Sequence, residues 1–198
     1  MVQGVFSLPP GHSLMVSCRE AHKCKPAAYW DLAAAAGKLR KSDLPKTLPE
    51  AAQAARPLLE EAVRSHLIAD VPLGLFLSSG LDSTALVALA SRERKGLHTF
   101  TIVFPEQEFS ESEMARRTAE RFGAEHRELL VSGEDMVAQL PQAVGALDQP
   151  SMDGINTYFV SWAARQAGLK VALSGLGGDE VFGGYPTFRM TPRVAAAA

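Results

Sequence analysis

The sequence predicts an α/β fold, a Rossmann-like parallel sheet with helices on both faces, and three observations carry that prediction. Strand-candidate runs at 73–77, 98–104, 126–131 and 170–174 alternate with longer stretches of helical periodicity, the pattern of parallel strands joined by crossover helices. Two of these runs, Leu73 to Leu77 and Lys170 to Ser174, lead directly into turns of glycine and serine. With 198 residues, 46% hydrophobic and 21% charged, the chain is long enough to bury a core and fits one domain with appendages.

Residues 1–36 differ from the rest. Val5-Phe6-Ser7-Leu8 and Ser13-Leu14-Met15-Val16 flank Pro9-Pro10-Gly11-His12, which predicts a short β-hairpin ahead of the α/β region. A lone hairpin is marginal in water, so this one is expected to belong to a larger sheet or dock on one. Residues 37–49, with Gly37, Pro45, Pro49 and several charges, read as a linker. A helix follows from about Glu50 to His66, with Leu58, Leu59, Ala62, Val63 and Leu67 spaced for one buried face and Pro57 expected to kink or divide it.

Three later helices carry start signals. Ser110 with Glu113 has capping-box spacing, ahead of an inward face of Met114, Ala115, Thr118, Ala119 and Phe122. Ser132 with Asp135 opens another, with Val137, Leu140, Val144 and Leu147 inward and Pro141 interrupting it. Asn156 is the expected cap of a third, with Tyr158, Phe159, Trp162 and Ala163 inward and Gly168 closing it. There is no internal repeat, and composition is biased only at Ala33–Ala36 and in the tail from Val194 to Ala198.

The net charge of −2 gives no electrostatic reason to expect nucleic acid or an anionic membrane as partner. No apolar stretch reaches the length of a membrane span, and the start, Met1-Val2-Gln3-Gly4, lacks a basic segment followed by a long apolar one; the expected location is the cytoplasm. Cys18 and Cys24, with His22 between them, provide no disulfide framework. As a metal site they lack a fourth ligand, and unpaired thiols in a reducing compartment are the competing reading.

The stretch Ser78-Ser79-Gly80-Leu81-Asp82-Ser83 sits where a strand ends and a helix begins. Glycine and serine leave backbone N–H groups open to an anion, and the helix start adds unpaired donors and the positive end of its dipole. The turn has no lysine before its last serine, so it is not a Walker loop, and Gly-x-Gly-x-x-Gly does not occur, since Gly175-Leu176-Gly177-Gly178-Asp179-Glu180 fails at its last position. The second turn, Ser174 to Tyr185, follows another strand. Each turn bears an aspartate, Asp82 and Asp179, and the pair could hold Mg²⁺ between carboxylates and phosphate oxygens. Helix capping for Asp82, and a solvated turn for Asp179 and Glu180, compete with that role.

The six-residue loop resembles the pyrophosphate-binding loop of N-type ATP pyrophosphatases. Together with Asp70-Val71-Pro72-Leu73-Gly74, Asp148-Gln149-Pro150 and Ser174-Gly175-Leu176-Gly177-Gly178-Asp179-Glu180 running into Phe182-Gly183-Gly184-Tyr185, it is similar to the synthetase domain of glutamine-dependent asparagine synthetases of the bacterial B type, over about residues 50 to 190. The resemblance implies an adenine nucleotide alpha hydrolase-like fold and a Mg²⁺- and ATP-dependent ligase. Residues 1–36 would be the remnant of the end of a glutaminase domain, 37–49 a linker, and 50–198 the ATP-pyrophosphatase domain, truncated at its carboxyl end.

By that resemblance Ser78, Ser79, Gly80, Asp82 and Ser83 hold the ATP phosphates. Phe76 and Ile102 lie against the nucleotide base or offer it backbone, and Ser174 and Gly175 contact the nucleotide. Asp82 and Asp179 are the catalytic pair and ligate Mg²⁺, while Asp153, Asn156 and Thr157, together with Gly154 and Ile155, fall where the family builds part of its acceptor site. The implied reaction adenylates an amino-acid carboxylate such as aspartate, then forms an amide with ammonia, releasing AMP and pyrophosphate.

Three departures qualify the match. Leu176 stands where these synthetases carry a glutamate implicated in proton transfer, which favours an acceptor other than aspartate, for example in cell-envelope or secondary metabolism. The glutaminase domain and its cysteine nucleophile are missing, so ammonia must come from a glutaminase on another chain or from solution. The helical region that completes the acceptor pocket is also missing, which raises a third reading, a nucleotide-binding fragment without turnover, and points to a homodimer or a complementing fragment as partner.

Overall fold

The computed structural model describes residues 3–17, 19, 24–104, 110–151, 153–188 and 190–191. Cys18, His22, the start Met1-Val2 and the alanine-rich tail lie outside the described residues, as does the side chain of Ser110, and with it the first capping box. The chain divides into two compact units, Met1–Pro57 and Leu58–Ala198.

In the first unit, β1 (His12–Ser13) pairs antiparallel with β2 (Ala27–Ala28), His12 opposite Ala28 and Ser13 opposite Ala27. The expected hairpin between Val5–Leu8 and Ser13–Val16 does not form. Pro9 and Pro10 offer no N–H to a ladder, and the Gly11 carbonyl instead accepts from the N–H groups of Tyr29 (2.9 Å) and Trp30 (3.1 Å). Gly11 has a φ of 67° and abuts the Trp30 carbonyl, so a side chain is excluded twice over. Helix α1 (Leu32–Gly37) is capped by Asp31, whose carboxylate accepts from the Ala34 N–H at 2.7 Å. Within the expected linker Lys41–Asp43 forms a 3₁₀ turn, and α2 (Leu48–His66) begins two residues early and runs through Pro57. None of the described residues up to 57 is buried, so the described part of this unit has no core of its own.

The second unit holds the predicted parallel sheet. Its strands are β3 (Leu73–Phe76), β4 (His98–Val103), β5 (Glu125–Leu130) and β6 (Val171–Leu173), in spatial order β5-β4-β3-β6 with every pair parallel. Between them run α3 (Leu81–Glu93), α4 (Ser110–Arg121), α5 (Gly133–Gly145) and α6 (Gly154–Gln166), and α7 (Gly178–Phe182) follows β6. The chain steps outward from β3 to β4 to β5, then returns to the far side of β3. With right-handed crossovers this puts α3 and α4 on one face of the sheet and α5 and α6 on the other. The direction of winding therefore reverses between β3 and β6, and in such sheets ligands bind outside the carboxyl ends of the strands at that point.

The main core lies on the α3 face, where Val63, Leu67, Leu73, Leu75, Leu77, Val87, Ala90, Leu97, Ala115 and Ala119 cluster. Val63 and Leu67 belong to the face predicted for α2, but Leu58 is 73% exposed. On α4 Ala115 and Ala119 are buried as expected, whereas Met114 is exposed. Helix α5 turns a different face inward than its apolar periodicity predicts: Val137, Leu140 and Val144 are exposed, and Ala143 is buried. The Ser132–Asp135 capping box forms in full and sets the phase of that helix, and the Tyr158 hydroxyl of α6 donates to Gln139 at 3.3 Å. Asn156 does not cap α6. The cap is Asp153, with Asn156 Nδ2 donating back to its carboxylate at 3.2 Å.

Candidate functional site

Both glycine-and-serine loops leave the sheet at the reversal point and line one cavity of about 420 Å³. The first loop is shaped by Ser83, which is buried. Its hydroxyl accepts from the Ser78 N–H (3.1 Å), lies 2.9 Å from the Ser78 hydroxyl, and is within donating range of the Ser78 and Gly80 carbonyls. The Ser78 hydroxyl in turn accepts from the Gly80 N–H at 3.1 Å. These bonds fold the loop on itself and engage the two serine side chains internally.

What the loop leaves open is backbone. Gly80 is the N-cap of α3, with extended φ and ψ and no side-chain capping bond, so the N–H groups of Leu81, Asp82 and Ser83 have neither an intrahelical acceptor nor a capping side chain. An uncapped helix start at the end of a sheet has the donor geometry and the dipole to receive an anion.

The second loop packs directly on the first. A Cβ on Gly175 would stand 2.9 Å from the Ser83 nitrogen and 3.0 Å from the Asp82 Cβ, and one on Gly178 would overlap the Asp82 carboxylate. Asp82 and Asp179 both line the cavity. Among the described residues no cluster of three His, Cys, Asp or Glu is assembled, so a cation held here would complete its shell with water and phosphate oxygens. That fits Mg²⁺, which keeps several waters and takes one or two carboxylates alongside substrate phosphates.

Of the residues singled out in the sequence, Phe76, Ser78, Gly80, Asp82, Ser83, Ile102, Ser174, Gly175 and Asp179 line this cavity. Ser79 is exposed and does not line it. Asp153, Asn156 and Thr157 lie at the exposed start of α6, where the Thr157 hydroxyl is 3.4 Å from the Asp153 carboxylate; the same helix sends Val160 into the cavity wall. Leu176 also lines the cavity and is 85% exposed.

Sequence reasoning missed Thr101, Val160 and Tyr185. Thr101 is buried and its hydroxyl donates to the Leu77 carbonyl, tying the carboxyl ends of β3 and β4 together beneath the cavity; a hydroxyl residue at that strand end was the available signal. The Tyr185 hydroxyl donates to Glu180 at 2.9 Å, and that bond, with partial burial and the nearby charges of Glu180, Asp179 and Asp153, pushes its pKa up.

The profile of the family described as Asparagine synthase matches residues 54–197, which include both loops and every strand of the sheet. The chain belongs to the asparagine synthase family. A Mycobacterium tuberculosis (strain H37Rv) protein provisionally named as a glutamine-hydrolyzing asparagine synthetase is 46% identical over 134 residues, 67% of this chain and 20% of that protein. Glutamine-hydrolyzing asparagine synthetase 1 of Bacillus subtilis (strain 168) is 40% identical over 136 residues, 68% of this chain and 21% of that protein. Amidase chry2 of Gibberella zeae is 30% identical over 207 positions, covering 94% of this chain and 30% of that protein. The chain thus spans about a fifth of the length of the two bacterial asparagine synthase relatives.

Proposed function

We propose that the cavity between the two loops binds Mg²⁺-ATP and that the protein adenylates a carboxylate for amide formation with ammonia, releasing AMP and pyrophosphate. The single observation that carries this reading is the convergence of Asp82, Asp179 and the uncapped start of α3 on one cavity at the reversal point of the sheet.

The backbone N–H groups of the first helical turn receive the phosphates, and Ser78 and Ser83 hold the loop in the shape that presents them. Phe76 and Ile102, at the ends of β3 and β4, flank the base; Ser174 and Gly175 face the nucleotide from the second loop. A Mg²⁺ held by Asp82 and Asp179 supplies neutralisation of the charge on the phosphate oxygens. The acceptor carboxylate attacks the α-phosphorus and the bond to the bridging oxygen breaks, so negative charge grows on the departing pyrophosphate where the loop donors already point. Ammonia then attacks the acyl carbon, the bond to AMP breaks, and nitrogen loses a proton. Asp153, Asn156 and Thr157 would meet the acceptor from the start of α6.

In this reading residues 1–36 are the end of a glutaminase domain, 37–49 a linker and 50–198 the synthetase-type domain. Ammonia derived from glutamine is the nitrogen source, and the protein works in the cytoplasm. Among the described residues no helix is long and apolar enough to cross a membrane. Release of pyrophosphate from ATP with Mg²⁺, ammonia and a panel of carboxylic acids tests it: aspartate-dependent release is the expected outcome, and ATP binding without release for any acid would remove the ligase reading.

A second reading is favoured by Leu176 and by the amidase relative that matches 94% of the chain. Leu176 presents an apolar side chain to the cavity beside Asp179, a surface suited to an acceptor other than aspartate. Release with another carboxylate and none with aspartate would select it.

A further inference from the structure

We propose that Gly178 and Gly184 are positioning residues for the two carboxylates that face the cavity, Gly178 for Asp82 and Gly184 for Asp179; the inference rests on the Mg²⁺-nucleotide reading of that cavity. Neither glycine is in the left-handed region that ordinarily calls for one, in contrast to Gly177 (φ 97°) and Gly183 (φ 70°) on either side of α7. Gly178 is moreover the first residue of α7, and glycine in a helix costs about 1 kcal/mol relative to alanine. Conformation does not explain either residue.

Contact does. A Cβ on Gly178 would overlap the Asp82 carboxylate, standing 2.8 Å from its Oδ1. A Cβ on Gly184 would overlap Asp179 Oδ1, at 2.8 Å from its carboxyl carbon and 3.2 Å from its Cα. Each carboxylate occupies the space that a Cβ on the facing glycine would take. The turn after α7 is also bonded to the residues it seats: the Gly184 N–H donates to the Asp179 carbonyl at 2.9 Å, and the Tyr185 hydroxyl donates to Glu180. Helix α7 is thus a brace between two seats, the first residue holding an acid from α3 and the following turn holding the acid of α7 itself. A methyl group at either seat swings a carboxylate off its line to the cavity without removing it.

The test titrates Mn²⁺ by electron paramagnetic resonance, with α,β-methylene-ATP present, into the wild-type chain, Gly178→Ala, Gly184→Ala, Asp179→Asn and the double variant Asp179→Asn/Gly184→Ala. Each glycine variant is expected to weaken Mn²⁺ binding about ten- to a hundredfold, the range for residues that orient metal ligands. The double variant is expected to bind no more weakly than Asp179→Asn alone, because Gly184 acts through that carboxylate. Gly145→Ala, in α5 with open space at its Cβ position, is the control and leaves binding unchanged. If Gly184→Ala is too unstable to titrate, Asp179→Ala/Gly184→Ala is expected to recover its melting temperature, since the overlap is gone. Full Mn²⁺ affinity in Gly184→Ala, additive losses in the double variant, or no thermal rescue would overturn the assignment while leaving the nucleotide reading intact. A wild-type chain that takes up no Mn²⁺ with the nucleotide would remove both.

Discussion

Ser83 does more in the first loop than a phosphate contact requires. Its buried hydroxyl is the only partner the Ser78 N–H has among the described hydrogen bonds, and it holds two turns of the loop together. Ser83→Ala should therefore cost about 1–3 kcal/mol in urea denaturation, the scale for a buried group left without its partner, and should weaken nucleotide binding in calorimetry. Ser79→Ala, exposed and outside the cavity wall, should change neither. Asp82 separates differently: Asp82→Ala is expected to weaken Mg²⁺-ATP binding more than Asp82→Asn disturbs folding, and unchanged nucleotide affinity in both variants would take Asp82 out of the site. His126 offers a pH test on β5. Its Nδ1 is 2.9 Å from the buried Thr99 hydroxyl, and burial lowers its pKa below the usual 6.5, with Glu128 opposing and Arg116 adding to the shift. The unfolded chain then binds the proton more readily, so stability should fall as pH drops below about 6.5. Thermal melts across that range should flatten in His126→Gln.

At the scale of elements, all four strands of the sheet were legible to within a residue or two: β3 because a buried strand writes itself as an apolar run, and the largely exposed, charged β5 because its two leucines and Val131 end a short segment set between helical stretches. The hairpin was not, since Pro9-Pro10 punctuates a turn as readily as it forbids a ladder, and the true partner, Ala27–Ala28, carries no strand signal. The inward face of α5 was misread for a related reason: Val137, Leu140 and Val144 have the right spacing but stand exposed, and periodicity alone cannot say which neighbour a helix meets. The cap of that helix was readable. The Ser132 hydroxyl and the Asp135 carboxylate exchange bonds with each other's backbone, and the Ser132 contacts hold the Asp135 carboxyl below its ordinary value of 3.8. A depressed carboxylate contributes stability above the unfolded value that is lost as pH falls through the folded one. Ser132→Ala should lower the melting temperature at neutral pH, and the difference from wild type should shrink in acid.

For the molecule as a whole, the candidate site was legible because two loops of the same composition followed two strands, and the sheet order then had to bring those strands side by side. Thr101 and Val160 were hidden because their part depends on strand register and helix phase rather than on any motif. Apolar side chains on the 58–198 unit remain uncovered, including Leu58 (73%), Leu81 (87%), Leu176 (85%) and Val181 (75%); where such residues adjoin, as Leu176, Val181 and Phe182 do in lining one cavity, they offer a surface for association. Sedimentation velocity over a range of concentrations should accordingly detect association; a single stable monomer throughout would argue against it.

The bare beginning of α3 has a practical corollary. Its donors are peptide groups, which every amino acid except proline supplies, so alanine scanning can bend the proposed grip on an anion but not delete it. A proline, or an amide-to-ester exchange at positions 82 or 83, reaches the contacts themselves, and a loop built this way can drift in sequence as long as its curvature survives.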